Sequence, residues 1–367
     1  MGELRQSWIE VDLDAIRHNV AEIARVVAPS KVCAVVKADG YGHGDVPVAE
    51  AALEAGADWL GVALIAEGAR LREAGITAPI LLLSEPNPGD AGEVVRWSLT
   101  PSLYGMEYLR ELEATAPSDY PIHLKLDTGM HRVGASPDAA QTLAEAVTVG
   151  PLRLEAVWTH FSVSEEDDEF TDAQTQQLGR FVAELREAEI GPELVHAANT
   201  AGALGHPAAR FDLVRPGIGI YGLSPAPGYV TDADLRPAMR VISHVAFVRS
   251  LPAGARPSYG RTRPMPADGT VATIPVGYAD GIDRRLKDSG GMVLINGKRY
   301  PFAGNVTMDQ IVVDVGRDDV AVGDEVVLLG HQGDEEIPAD EWAQRLQTIN
   351  WEIVCGFGPR LPRRYLG

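Results

Sequence analysis

From residue 12 to residue 235 the chain alternates between two hydrophobic rhythms. Short apolar runs rich in β-branched residues mark buried strands, and apolar residues recurring every three or four positions mark amphipathic helices. The runs Val32–Val36, Trp59–Ala63, Pro79–Leu83, Leu99–Leu103, Ile122–Leu126, Leu154–Thr159, Leu194–Ala198 and Val214–Tyr221 predict eight strands. Helical periodicity lies between them, over Asp14–Val27, Asp45–Gly56, Ala66–Ala74, Glu93–Trp97, Tyr104–Ala114, Ala139–Val147 and Asp172–Glu189. The first helix carries Ile16, Val20, Ile23 and Val27 on one stripe. Gly75 stops one helix, Pro137-Asp138 starts another, and Asn199-Thr200 reads as an N-cap. Eight strands interleaved with helices over this length predict a (β/α)8 TIM-type barrel. A doubly wound open sheet is the alternative, although such sheets usually have fewer strands.

The texture changes at Pro225–Pro237, a linker rich in Pro, Gly and Asp. Beyond it come strand-like runs at Val241–Leu251, Val271–Val276, Ile311–Val315 and Glu325–Leu329. Met292–Tyr300 holds Asn296-Gly297 between two such runs, the signature of a type I′ hairpin. Thr348–Tyr365 reads as a helix and loop folding back. The expected organisation is a barrel over residues 10–235 and a smaller β-rich domain over 236–367.

A chain of 367 residues accommodates that pair, and 45% hydrophobic with 23% charged residues is ordinary for a globular protein. The net charge of −20 argues against a nucleic-acid partner, which needs clustered Lys and Arg. Two cysteines, Cys33 and Cys355, are too few for a disulfide framework, and the nine histidines show no metal-ligand spacing. The polar start lacks a secretory h-region, and no apolar run approaches the ~18–20 residues of a membrane span. A cytoplasmic protein with no membrane association is the expectation.

The candidate chemistry begins at Lys37, where the run Val32–Val36 ends and Gly40, Gly42 and Gly44 follow in what reads as a flexible loop. The glycines run G-x-G-x-G rather than as a dinucleotide fingerprint. A lysine emerging from an apolar strand is partly desolvated, which favours the neutral amine that a Schiff base needs. Alone it is more simply a surface residue. Other polar residues fall at the same ends of strands: Lys125, Asp127 and Arg132 at the fifth, His160 at the sixth, Asn199 and Thr200 at the seventh, Arg215 and Gly217 at the eighth. Barrel strand ends converge on one face, where active sites sit. Asn199-Thr200 and Gly217-Ile218 offer N–H groups and a hydroxyl to a phosphate. A Schiff-base lysine with a phosphate cradle points to pyridoxal 5′-phosphate.

Six motifs together carry a family resemblance. They are Val36-Lys37-Ala38-Asp39-Gly40-Tyr41-Gly42-His43-Gly44, Lys125-Leu126-Asp127-Thr128-Gly129-Met130-His131-Arg132-Val133-Gly134, Arg215-Pro216-Gly217-Ile218, Ser258-Tyr259-Gly260, Gly277-Tyr278-Ala279-Asp280-Gly281 and Met308-Asp309-Gln310. The chain resembles the alanine racemases, fold type III pyridoxal-phosphate enzymes, from Ile9-Glu10-Val11-Asp12-Leu13 to Pro362-Arg363-Arg364-Tyr365. The resemblance implies a barrel plus a β-domain that also takes residues 1–9, a head-to-tail homodimer with shared active sites, and conversion of L- and D-alanine to supply peptidoglycan. It implies that Lys37 holds the cofactor and acts as one base, with Tyr259 of the partner subunit as the second. A phenol titrates near ~10, so a tyrosine in that role needs cations nearby. Arg215 would face the pyridine nitrogen, Arg132 the phenolic oxygen, and His160 the ring. Tyr41, Asn199, Thr200, Gly217, Ile218 and Tyr365 would hold the phosphate. Met308 and Asp309 would join Arg132 at the substrate carboxylate, Tyr278 and Arg284 would line the access corridor, and Lys125 matches a position carbamylated in many relatives.

Three positions depart from the family pattern. Thr307 stands where Cys is frequent, Thr200 where Ser is frequent, and Arg263 where an aromatic is commoner. Arg263 bears on the corridor or the subunit contact. The competing readings are a racemase of serine or a broader set of amino acids, a fold type III decarboxylase, and a non-catalytic pyridoxal-phosphate carrier. The Tyr259 and Met308-Asp309 motifs argue against the last two.

Overall fold

A computed structural model describes residues 6–367. It divides into two compact units, one of 14–40 with 44–236, the other of the residues up to Leu13 with Tyr41–His43 and Pro237–Gly367. The expectation for residues 1–5 lies outside the described residues.

The larger unit is the eight-stranded parallel barrel. Lys31–Val35, Trp59–Val62, Ile80–Leu82, Thr100–Leu103, Pro121–Lys125 and Arg153–Trp158 each pair in parallel with the next strand, the last of them with Leu194–His196, and Leu213–Val214 pairs with the first. The seam between the last two strands is laced by Asp212 N–H to Val195 O at 3.0 Å and Arg215 N–H to Ala198 O at 2.8 Å. Helices alternate with the strands, from Leu13–Val27 to the six-residue Thr200–Gly205. Cys33, Trp59, Leu81 and Leu213 form one core cluster where the first, second, third and eighth strands meet. The eighth strand is shorter than expected. After Leu213–Val214 the apolar run Ile218–Tyr221 is a buried 3-10 turn. A methyl on Gly219 would lie 2.7 Å from Thr200 Cγ2, so this segment packs as a turn against the neighbouring helix.

The β-rich unit has two sheets. In the larger, the strand order is Lys298–Pro301, Met292–Ile295, Glu325–Gln332, Met239–His244, Trp8–Asp12, Arg363–Leu366, with Glu335–Ile337 also on Glu325–Gln332. The expected hairpin is present, with Asn296 and Gly297 at φ 51° and 71°, as a type I′ turn requires. The smaller sheet is antiparallel, Phe247–Leu251, Gly269–Ile274 and Ile311–Gly316. The expected single strand Val241–Leu251 is thus two strands in two sheets. Val245 N–H bonds Asp324 O and Ala246 N–H bonds Thr273 O, so the chain changes partner between those residues. The strands Trp8–Asp12 and Arg363–Leu366 were not expected; they pair in parallel with each other.

Candidate active site

In the barrel unit, Lys37 leaves the first strand into a left-handed turn rather than a flexible loop. Ala38, Asp39 and Gly40 have φ of 53°, 53° and 58°, and Tyr41 has φ 52°. Each non-glycine residue held there costs ~1–2 kcal/mol. Glu67 compensates. This carboxylate, 6% exposed, accepts from Ala38 N at 2.7 Å through Oε1, and from Ala63 N at 2.8 Å and Leu64 N at 3.1 Å through Oε2. It joins the exit of the second strand to the turn that aims Lys37, and sequence reasoning missed it because its target lies 29 residues away.

Lys125 ends the fifth strand buried. Its ammonium donates to Leu83 O at 3.1 Å and lies 4.1 Å from the centre of the Trp158 ring. Burial, reinforced by Arg215, Arg132 and Lys37, pulls its pKa down to about 7, with Asp127 opposing. Arg215 also lies over the Trp158 ring, 4.4 Å from its centre. It donates to Thr159 O and Ala197 O at 2.8 Å each, to His196 Nδ1 at 2.6 Å and to His160 Nδ1 at 3.2 Å. Burial and then the neighbouring cations Arg215, Lys125, Arg132 and Lys37 hold His160 well below the ordinary histidine value, so it is neutral. Arg132 itself is exposed. Beside them, Thr200 Oγ1 accepts from Gly217 N at 3.1 Å and Gly219 N at 3.2 Å, while Asn199 caps its helix by accepting from Gly202 N at 2.9 Å. Thr200 therefore uses its hydroxyl to fix the 217–219 backbone, a role that Ser could also fill. Trp158 and His196 were also missed; the alternation along the sixth and seventh strands was the available signal.

In the β-rich unit, Tyr259 is 74% exposed and opens a short strained turn, with Ser258 at φ 66° and Arg261 at φ 48°. Ser258 Oγ donates to Asn305 O at 2.6 Å, and Thr262 Oγ1 to Asn305 Oδ1 at 3.4 Å. Two residues on, Thr307 closes the next turn. Its hydroxyl donates to Gln310 O at 2.8 Å and accepts from Gln310 N at 3.1 Å, which presents Met308 and Asp309 on an exposed tip. The departure from Cys thus adds turn hydrogen bonds. Tyr278 N and Ala279 N donate to Thr307 O and Met308 O at 2.9 and 3.1 Å. Arg284 sits 5.9 Å from the Tyr278 ring centre, and Arg263 donates to Phe302 O at 2.6 Å. Arg360, not foreseen, bridges Asp309 at 2.7 Å and buried Asp280 at 3.3 Å. Tyr41 is 8% exposed, and Tyr365 lies on the edge strand Arg363–Leu366, 41% exposed.

Residues 11–225 match the family model "Alanine racemase, N-terminal domain", and residues 238–365 match "Alanine racemase, C-terminal domain". The chain belongs to the alanine racemase family. An alanine racemase of Symbiobacterium thermophilum is 45% identical over 99% of this chain and 98% of that protein. The crystal structure of alanine racemase from D-cycloserine-producing Streptomyces lavendulae superposes with a TM-score of 0.94 at 39% identity, over 99% of this chain and 97% of that one. A histidine racemase from Leuconostoc mesenteroides also shares the fold, with a TM-score of 0.90 at 27% identity over 100% and 99% of the two chains. The chain is an isomerase, an amino-acid racemase, and alanine racemisation is the activity that membership of the alanine racemases supports. No described helix is long and apolar enough to cross a membrane.

Proposed function

We propose that the chain interconverts L- and D-alanine with pyridoxal 5′-phosphate, using Lys37 and the partner subunit's Tyr259 as two bases on opposite faces of the substrate Cα. The observation that supports this most is the crowding of cations at the barrel strand ends. Lys37, Lys125, Arg132 and Arg215 lie close enough for three of them to help depress the fourth, Lys125. Such a cluster suits an anionic ligand, and a hydroxypyridine that carries a phosphate ester on a side arm is one. Arg215 lies among neutral acceptors over Trp158, which suits a group that only accepts.

When bound, pyridoxal 5′-phosphate supplies an electron sink that makes the Cα proton of an attached amino acid removable. The chain's own residues do the rest. Arg215 would hold the ring nitrogen by donating to it; because guanidinium only donates, that nitrogen would carry no proton, a weaker sink that favours return of the Cα proton over side reactions. Arg132 would bind the phenolic oxygen and the substrate carboxylate, and neutral His160 would lie beside the ring. Asn199, Thr200, Gly217 and Ile218 would hold the phosphate, with Tyr41 and Tyr365. Met308 and Asp309 hold the carboxylate through their backbone, and Tyr278 and Arg284 line the corridor. Lys125, whose pKa is pulled down to about 7, has a large neutral-amine fraction near that pH and is suited to carbamylation, which would give Arg132 an anionic partner. Residues 10–235 form the cofactor domain and 236–367, with the described residues 6–9, the domain that completes the site of the other protomer in a homodimer. The role is supply of D-alanine for peptidoglycan in the cytoplasm.

A second reading, a broader amino-acid racemase, draws on the histidine racemase of the same fold. Pocket width discriminates by only ~1–3 kcal/mol per methylene. The test is incubation with L-alanine in D2O, following optical activity and Cα deuterium together. Racemisation with deuterium uptake is expected. Exchange without racemisation would remove Tyr259 from the second-base role. Inactivity on alanine with activity on serine or histidine would favour the second reading.

A further inference from the structure

A line of polar side chains with no part in the proposed reaction runs down the barrel interior from Arg215. Arg215 is 2% exposed, and its hydrogen bonds go to two carbonyls and two imidazoles. A buried guanidinium with only neutral partners is costly unless a counter-charge acts on it from further off. Guanidinium only donates, so His196 Nδ1 accepts and the His196 proton sits on Nε2. That Nε2 lies 3.0 Å from His123 Nδ1, which therefore accepts in turn. The His123 proton is left on Nε2, 3.0 Å from Glu155 Oε2. Donation runs one way, from cation to carboxylate, through two imidazoles that are both 0% exposed.

Both imidazoles are neutral. Burial holds His196 well below the ordinary histidine value, reinforced by Arg215, His123 and Lys125. Burial also lowers His123, where Glu155 opposes and Arg215 and Arg153 assist. Their planes are fixed by aromatic neighbours. Trp158 stacks on His196 at 5.3 Å and 18°, and Trp59 lies 5.1 Å from His123. Glu155 reaches inward because the ladder slips there: Ile122 pairs with Leu154 but His123 with Ala156, leaving Glu155 unpaired in the register. A bulge of this kind re-aims a side chain. On its other side Glu155 meets Arg153 at 3.3 Å, which also reaches Glu193 and Asp119.

We propose that Glu155 is the remote counter-charge of Arg215 and, through His123 and His196, a positioning residue that sets how strongly the guanidinium donates to the cofactor ring nitrogen. The second half rests on the assignment of Arg215 to that nitrogen; the first half does not. With the carboxylate in place, the relay draws off part of the positive potential at Arg215. Without it, donation to the ring nitrogen strengthens.

The test uses the full chain with 15N-histidine, first free of cofactor and then loaded with pyridoxal 5′-phosphate labelled with 15N in the ring. In the cofactor-free wild type, His196 and His123 are expected as Nε2–H tautomers with no titration between pH 6 and 9. Glu155→Gln keeps an acceptor for His123 but removes the charge. It should move the ring-nitrogen resonance toward the pyridinium position, Glu155→Asp should restore it, and the exposed control Glu193→Gln should leave it alone. His123→Leu breaks the relay and should give the same displacement as Glu155→Gln; if that variant does not fold, Glu155→Gln decides alone. Nδ1–H tautomers, or a ring-nitrogen resonance indifferent to Glu155→Gln, would overturn the proposal. A wild-type resonance unmoved by Arg215→Lys would instead overturn the assignment of Arg215 and with it the positioning half, while the histidine tautomers still decide the counter-charge.

Discussion

Replacing Glu67 by Gln is the sharpest perturbation of the Lys37 turn. Both carboxylate oxygens are used, Oε1 by Ala38 N and Oε2 by Ala63 N and Leu64 N. An amide keeps one acceptor and places an NH2 group against an N–H donor on the other side. If the oxygen stays with Ala63 and Leu64, Ala38 loses a hydrogen bond to a charged group, worth about 1.5–3 kcal/mol. Ala38 and Asp39 each store about 1–2 kcal/mol in their left-handed conformation. The lost bond is thus comparable to the strain it holds, and the turn should open more easily by about 2 kcal/mol. At 1.4 kcal/mol per tenfold, that is about a 30-fold rise in local opening. The amides to follow are Gly40, bonded to Val36 O at 3.0 Å, and Gly44, bonded to Asp39 O at 2.8 Å. Hydrogen exchange at both should accelerate about 30-fold in Glu67→Gln, with little change in strand Pro121–Lys125. Unchanged exchange at Gly40 and Gly44 would refute the view that Glu67 holds the turn.

Other expectations concern single residues. Gly277→Ala adds a methyl where the carbonyls of Thr307 and Met308 already sit; at about 1–3 kcal/mol of overpacking it should raise KM for alanine while cofactor affinity stays at the wild-type value, and an unchanged KM would count against it. Tyr259→Phe removes an exposed phenol, so folding should be untouched while deuterium exchange falls at least 100-fold for one alanine enantiomer only; equal losses for both would argue against a one-face role. Lys125, depressed to about 7 in the folded chain from 10.5, binds a proton less readily there than in the unfolded chain. Between pH 7 and 10.5 the unfolded state holds the extra proton, so stability rises with pH by up to about 1.4 kcal/mol per unit, and below pH 7 the full cost of the buried cation is present. Lys125→Met should remove that slope from urea midpoints of cofactor-free protein measured at pH 7 and 9; parallel pH dependence of the two proteins would contradict it.

Much of the barrel was legible because parallel strands buried on both faces are apolar runs bounded by helical periodicity. Where the run alone had to decide, it misled. Ile218–Tyr221 is as apolar as a strand, yet Gly219 lets it turn against Thr200. Trp8–Asp12 carried its signal, since Ile9 and Val11 are fully buried and alternate with polar positions. Its partners, Arg363–Leu366 and Met239–His244, lie more than 200 residues away, so no local pattern paired them. Strand ends supplied Lys37, Lys125, His160 and Arg215, because chemistry-bearing residues interrupt apolar runs there. Residues acting through others were invisible for the opposite reason. Glu67 resembles any helix glutamate, and only its alternation with Lys125 on one strand could have turned His123 inward.

Asn305 bonds both Ser258 and Thr262 around Tyr259, and two residues later the chain enters the tip that bears Met308 and Asp309. In the proposed function, the second base and the backbone assigned to the substrate carboxylate are thereby hung from one peg. For anyone diversifying the chain toward larger amino acids, this makes positions 305–307 poor choices for randomisation, since each change there is read out twice and gains in accommodation arrive tied to losses in proton handling. Libraries placed at Tyr278 and Arg284, whose side chains meet each other outside that peg, would separate the two effects.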